Sequence, residues 1–71
     1  MKIVLNGKEE ILSQPTTVQE LIKAKGWNPE RIVAELNQEI IGKDAWADIV
    51  LKENDRLEIL SFIGGGKTDG W

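Results

Sequence analysis

Residues 1–26 read MKIVLNGKEEILSQPTTVQELIKAKG, and their punctuation decides the fold. Lys2 to Asn6 (KIVLN) alternates enough to form a strand, and Asn6-Gly7 is a strong two-residue hairpin signal because both residues tolerate a positive φ. Lys8 to Leu12 (KEEIL) then returns antiparallel. Ser13-Gln14-Pro15-Thr16 breaks the chain, and Thr17-Val-Gln-Glu20 has the Thr-x-x-Glu form of a capping box. Behind it Val18, Leu21 and Ile22 share one helical face, while Lys23, Lys25 and Gly26 give a cationic last turn and a glycine stop. A hairpin followed by one amphipathic helix of two to three turns, running from Thr17 or Val18 to Lys25, is the expectation.

Beyond Trp27-Asn28-Pro29-Glu30, Arg31 to Asn37 (RIVAELN) reads as a strand with Ile32, Ala34 and Leu36 on one face and Val33 and Glu35 on the other. Glu39 to Ile41 is a shorter strand closed by Gly42. Lys43 to Asp48 (KDAWAD) is polar around Trp46, which predicts a single helical turn or tight loop that buries that indole. Arg56 to Phe62 (RLEILSF) is a strong strand, entered through a turn in which Asn54 takes the left-handed position. The order is β-β-α-β-β-β. With one helix available, only one face of a mixed sheet can be covered, which predicts an α+β, β-grasp domain over residues 1–63 with the last strand parallel to the first. Residues 64–71 form a glycine-rich tail too polar to join a core.

Alternation in the last strand has a functional consequence. If Leu57 and Ile59 point to the helix, Glu58, Leu60 and Phe62 lie on the uncovered face, where Val4 and Val33 also fall. Leu60 and Phe62, with Glu58 beside them, are therefore the candidate docking residues for a protein partner at the base of the tail.

The bulk composition narrows the function classes. The 71 residues carry a net charge of −3, and the nine Lys and Arg are scattered, so a clustered basic face for nucleic acid is not expected. No apolar run approaches a membrane span and no export leader is evident, which points to a cytoplasmic protein with protein partners. There is no Cys and no His. The chain thus lacks a thiolate nucleophile, the usual base near neutral pH and the commonest transition-metal ligands. No catalytic residue, metal or cofactor is expected of it.

The last eleven residues, Ser61-FIGGGKTDG-Trp71, present two competing readings. Gly66-Lys67-Thr68 matches the second half of a phosphate-binding G-x-x-x-x-G-K-[ST] loop. The first glycine of that motif would fall on Ser61, and only three residues follow Thr68 where a helix must present its N-terminus. The alternative is a tail whose Gly64, Gly65 and Gly66, having no Cβ, thread a narrow channel in another enzyme and end in a reactive carboxylate.

On this second reading the sequence resembles the thiamine-biosynthesis sulfur carrier proteins, small ubiquitin-like β-grasp domains related to the small subunit of molybdopterin synthase. The resemblance runs from Met1 to Gly66. It is carried by Asn6-Gly7, Thr17-Val-Gln-Glu-Leu21, Glu35-Leu-Asn-Gln-Glu-Ile-Ile41, Trp46 within Asp44-Ala-Trp-Ala47, the acidic turn ending at Asp55 before Leu57-Glu-Ile-Leu60, and the closing glycines. It implies that Gly66 is adenylated and then thiocarboxylated, with Gly65 and Gly64 threading the partner's active site. It also implies the partners: an E1-like adenylating enzyme that uses ATP and magnesium, a sulfur donor chain from a cysteine desulfurase, and thiazole synthase as acceptor. Molybdopterin, cysteine and tRNA thiolation use similar ends; Asn37-Gln38 and Trp46 favour thiazole.

Two departures from the family pattern stand out. Gly42 occupies a place where Pro is frequent. Lys67-Thr-Asp-Gly-Trp71 follows Gly66, and a peptide carbonyl is not a carboxylate. Either a processing protease cuts after Gly66, or the carrier role is lost and a β-grasp interaction module remains, or the last five residues are foreign to the natural chain. A fourth arrangement has Trp71 simply folded back on the sheet.

Overall fold

The computed structural model describes residues 1–61; Phe62, the Gly64–Gly66 run, residues 67–71 and the expected domain boundary after residue 63 lie outside the described residues. Strands β1 (Lys2–Leu5) and β2 (Lys8–Ile11) form the opening hairpin, with Leu5 opposite Lys8 across a two-residue loop. Asn6 (φ 52°) and Gly7 (φ 82°) both sit in the left-handed region, as a turn matched to strand twist requires.

Helix α1 (Val18–Ala24) begins where the capping box places it. The Thr17 hydroxyl accepts from the Glu20 amide at 3.0 Å, and the Glu20 carboxylate accepts from the Thr17 amide at 2.9 Å. At the other end Gly26 (φ 76°) donates to the Lys23 carbonyl, and Trp27 donates to the Ile22 carbonyl. This pair of reversed bonds satisfies two orphan carbonyls of the last turn. Asn28 then caps a 3₁₀ turn, Pro29–Arg31, by accepting from the Glu30 amide at 2.9 Å.

Strands β3 (Ile32–Leu36), β4 (Glu39–Ile41) and β5 (Arg56–Ser61) complete one five-stranded sheet in the order β2-β1-β5-β3-β4. The β1–β5 pair is parallel, as expected, and the other pairs are antiparallel. A second two-residue turn, Asn37 (φ 51°) and Gln38 (φ 72°), joins β3 to β4. Asn54 (φ 70°) occupies the left-handed position expected of it.

One face of the sheet is covered by α1 and by the 3₁₀ segment Lys43–Asp48, which buries Trp46 as the sequence predicts. Ile3, Leu5, Ala34 and Leu57 from the sheet pack against Val18, Leu21 and Ile22 from the helix, with Trp46 and Leu51 closing the side. Residues Ile49 to Leu51 cross the start of α1: the Val18 amide donates to the Ile49 carbonyl, and the Leu51 amide donates to that of Thr16. This is the β-grasp arrangement that the hairpin and helix imply.

A candidate docking face beside the glycine tail

The central strand β5 determines what the uncovered face presents. Leu57 is fully buried and Ile59 half-buried under the helix side, while Glu58 and Leu60 point the other way and are exposed. Two of the three expected docking residues are therefore placed on the open face, and Phe62 lies outside the described residues. Register fixes their neighbours. Leu60 is paired with Val33 on β3, so these two side chains stand together, whereas Val4 is paired with Arg56, at the far end of the strand. Glu58 and Asn6 lie between, so the apolar patch consists of Leu60 and Val33 without Val4.

Two features of this face were not foreseen. Glu35 stands directly opposite Glu58 across β3 and β5, and Ile40 on β4 stands opposite Glu35 on its other side. Ile40 is 71% exposed. Among the described residues the ion pairs are Lys2–Glu9, Lys25–Glu10 and Lys43–Glu30, none of which involves Glu35 or Glu58. Like charges facing each other across strands destabilise a sheet, so this arrangement is a cost carried by the isolated domain. The pairing is invisible in sequence, because the two residues are 23 positions apart and only register brings them together.

The face is held in place by side-chain hydrogen bonds at its two ends. Asn6 accepts from the Ile59 amide at 2.7 Å while its own amide donates to the Leu57 carbonyl, locking the hairpin turn onto β5. Asp55 is 94% buried, and its carboxylate accepts from the Lys52 amide at 2.7 Å and from the Asn37 side-chain amide at 3.1 Å. Asn37 in turn accepts from the Arg56 amide at 2.9 Å. The β3–β4 turn thereby sets where β5 begins, and hence which residues face out. Among the described residues there is no group of His, Cys, Asp or Glu that could hold a metal ion, and no helix is long and apolar enough to cross a membrane.

Residues 2–66 match the model of the ThiS family. The chain belongs to the ThiS family. The matched span ends on Gly66, the last glycine of the run. The sulfur carrier protein ThiS of Bacillus subtilis is 36% identical over 63 residues, which cover 87% of this chain and 96% of that protein. The crystal structure of the thiamine biosynthesis protein ThiS from Geobacter metallireducens superposes with a TM-score of 0.80 at 33% identity, over 93% of this chain and all of that one. This likeness agrees with the ubiquitin-like β-grasp fold. A thiazole synthase of Magnetococcus marinus is 35% identical over 74 residues, an alignment that takes in all of this ThiS-family chain but only 23% of the synthase.

Proposed function

We propose that this chain is a sulfur carrier for thiazole formation in thiamine biosynthesis. The observation that carries the reading is the extent of the family match, which begins at residue 2 and stops at Gly66. The absence of Cys and His agrees with a carrier, because the chemistry is performed on its end rather than by its side chains. Once the bond after Gly66 is cut, the Gly66 carboxylate attacks the α-phosphorus of ATP on an adenylating enzyme. Pyrophosphate leaves, and an acyl-adenylate forms. A persulfide sulfur of a cysteine-derived donor chain then displaces AMP to form an acyl disulfide. A second thiol of that chain cleaves the S–S bond and leaves as a disulfide with the donor, and the freed thiocarboxylate is presented to thiazole synthase. Gly65 and Gly64 let the end enter both active sites, because no Cβ widens the segment. Leu60 and Glu58, with Phe62 next along the chain, dock the carrier while its tail reacts.

The chain needs no catalytic residue, metal or cofactor of its own in this scheme; ATP and magnesium belong to the adenylating enzyme. The Magnetococcus thiazole synthase supports thiazole synthase as the sulfur acceptor, since a stretch similar to this whole chain lies within that enzyme. The test is ATP–pyrophosphate exchange with the host's adenylating enzyme and a chain ending at Gly66. Exchange that depends on the Gly66 carboxylate is the expected result. Its absence in a folded chain overturns the carrier reading and leaves a β-grasp interaction module.

A further inference from the structure

Charge and apolar surface are unevenly divided across the sheet face that α1 leaves open. On the hairpin side Val4 lies between Glu9 and Arg56, and Lys2 is ion-paired with Glu9 at 3.5 Å. On the β3–β4 side the register sets Ile40, Glu35 and Glu58 in one row across β4, β3 and β5, with Val33 and Leu60 in the row beside it. Directly opposed residues stand with Cβ atoms about 4.5–5.5 Å apart, so the two carboxylates are neighbours with apolar side chains on two sides. Ile40 is 71% exposed and Leu60 40%. Arg56 shares the face two residues before Glu58, yet among the described residues it makes no ion pair with either glutamate.

This composition selects among occupants. A second copy would set Glu35 and Glu58 against the same pair, and like charges juxtaposed across an interface repel. A wholly apolar partner would strip water from both carboxylates and return no counter-charge, which costs more than the apolar contact gains. A cation in an apolar surround reverses both terms: it relieves the repulsion between the glutamates while Ile40, Val33 and Leu60 lose water. A guanidinium suits the pair better than an ammonium. Its planar fork of donors reaches two carboxylates at once, and its weakly hydrated faces rest against aliphatic side chains such as Ile40 and Leu60.

We propose that this half of the face docks an arginine set in an apolar surface of the adenylating enzyme, with the guanidinium bridging Glu35 and Glu58. The choice of partner rests on the carrier reading. To that reading the geometry adds two docking determinants outside β5, Glu35 and Ile40. The like-charge opposition that weakens the free domain becomes an attraction shared by two carboxylates in the complex, so the same pair acts with opposite sign on folding and on binding.

The test measures the Kd of a chain ending at Gly66 for the host's adenylating enzyme at low and high salt, beside ATP–pyrophosphate exchange and urea unfolding of the free chain. Glu35→Gln and Glu58→Gln each weaken binding about tenfold at low salt. The difference narrows at high salt, and both variants raise the urea midpoint. A residue that only supports the sheet would move binding and stability in the same direction. Ile40→Ser weakens binding and leaves its salt dependence unchanged. Binding by Glu35→Gln as tight as that of the unaltered chain overturns the proposal, while exchange by the unaltered chain keeps the carrier reading in place. No exchange by the folded, unaltered chain overturns the carrier reading and this partner with it. Self-association that Ile40→Ser abolishes assigns the face to a second copy and overturns the proposal.

Discussion

Replacing Asp55 by Ala removes the acceptor on which two donors converge, the Lys52 amide at 2.7 Å and the Asn37 side-chain amide at 3.1 Å. Asp55 is only 6% exposed, so water does not freely replace the carboxylate. A hydrogen bond to a charged group contributes about 1.5–3 kcal/mol, and orphaning a buried donor costs a comparable amount. With some relaxation of the turn, the two together predict a loss of about 2–4 kcal/mol. For a domain of this size that is a large share of a total stability of about 4–10 kcal/mol. Each kcal/mol moves the midpoint by about 4–8 °C, so thermal unfolding followed by circular dichroism shifts down by roughly 8–32 °C. The partner substitution Asn37→Ala removes one of those donors and the acceptor of the Arg56 amide, and adds the strain of Ala at a φ of 51°. A double-mutant cycle between the two returns a coupling of about 1 kcal/mol. A loss below about 0.5 kcal/mol for Asp55→Ala, within the range of surface substitutions, would refute the view that this network anchors the start of β5.

The remaining predictions concern the helix cap and the open face. Thr17→Ala destabilises by about 1 kcal/mol in urea unfolding, because the Glu20 amide loses its acceptor and the capping box is broken. Glu58→Gln raises stability by about 0.2–1 kcal/mol at low salt by relieving its opposition to Glu35, and the gain shrinks as salt is added. Leu60→Ser costs only about 1 kcal/mol in unfolding, since Leu60 is 40% exposed beside Val33, but raises the KM for the carrier in ATP–pyrophosphate exchange about fivefold or more. An unchanged KM for Leu60→Ser removes the open face from the docking role.

Local chemistry made much of this protein legible. Asn6-Gly7, the Thr17 to Glu20 capping box and Gly26 each dictate a backbone conformation through their own side chains or lack of one, and each appears where the sequence puts it. Trp46 was legible for a different reason: one large indole in a short polar segment of a small chain has few places to go but inward. The boundaries differ slightly. β2 stops at Ile11 while the pattern extends to Leu12, because Leu12 turns inward and its amide donates to the Met1 carbonyl.

The docking face was legible only in part. Alternation along β5 places Glu58 and Leu60 outward, because side-chain direction in a strand has a period of two that can be read without knowing the neighbours. Which residues stand next to them depends on register between strands distant in sequence, and no local pattern encodes it. That is why Val4 seemed to belong with Leu60, and why the Glu35–Glu58 opposition and the exposed Ile40 went unread.

The sequence by itself determined the order of the strands and the main helix, the residues of β3 and β5 that share a face, and the inventory from which any chemistry must be drawn, because each follows from local conformational preference or from composition. Only the tertiary structure decided the strand pairings and the burial of Asp55 against Asn37. Those depend on contacts between residues far apart in the chain, whose partners are selected by the packing of the whole core rather than by the residues themselves.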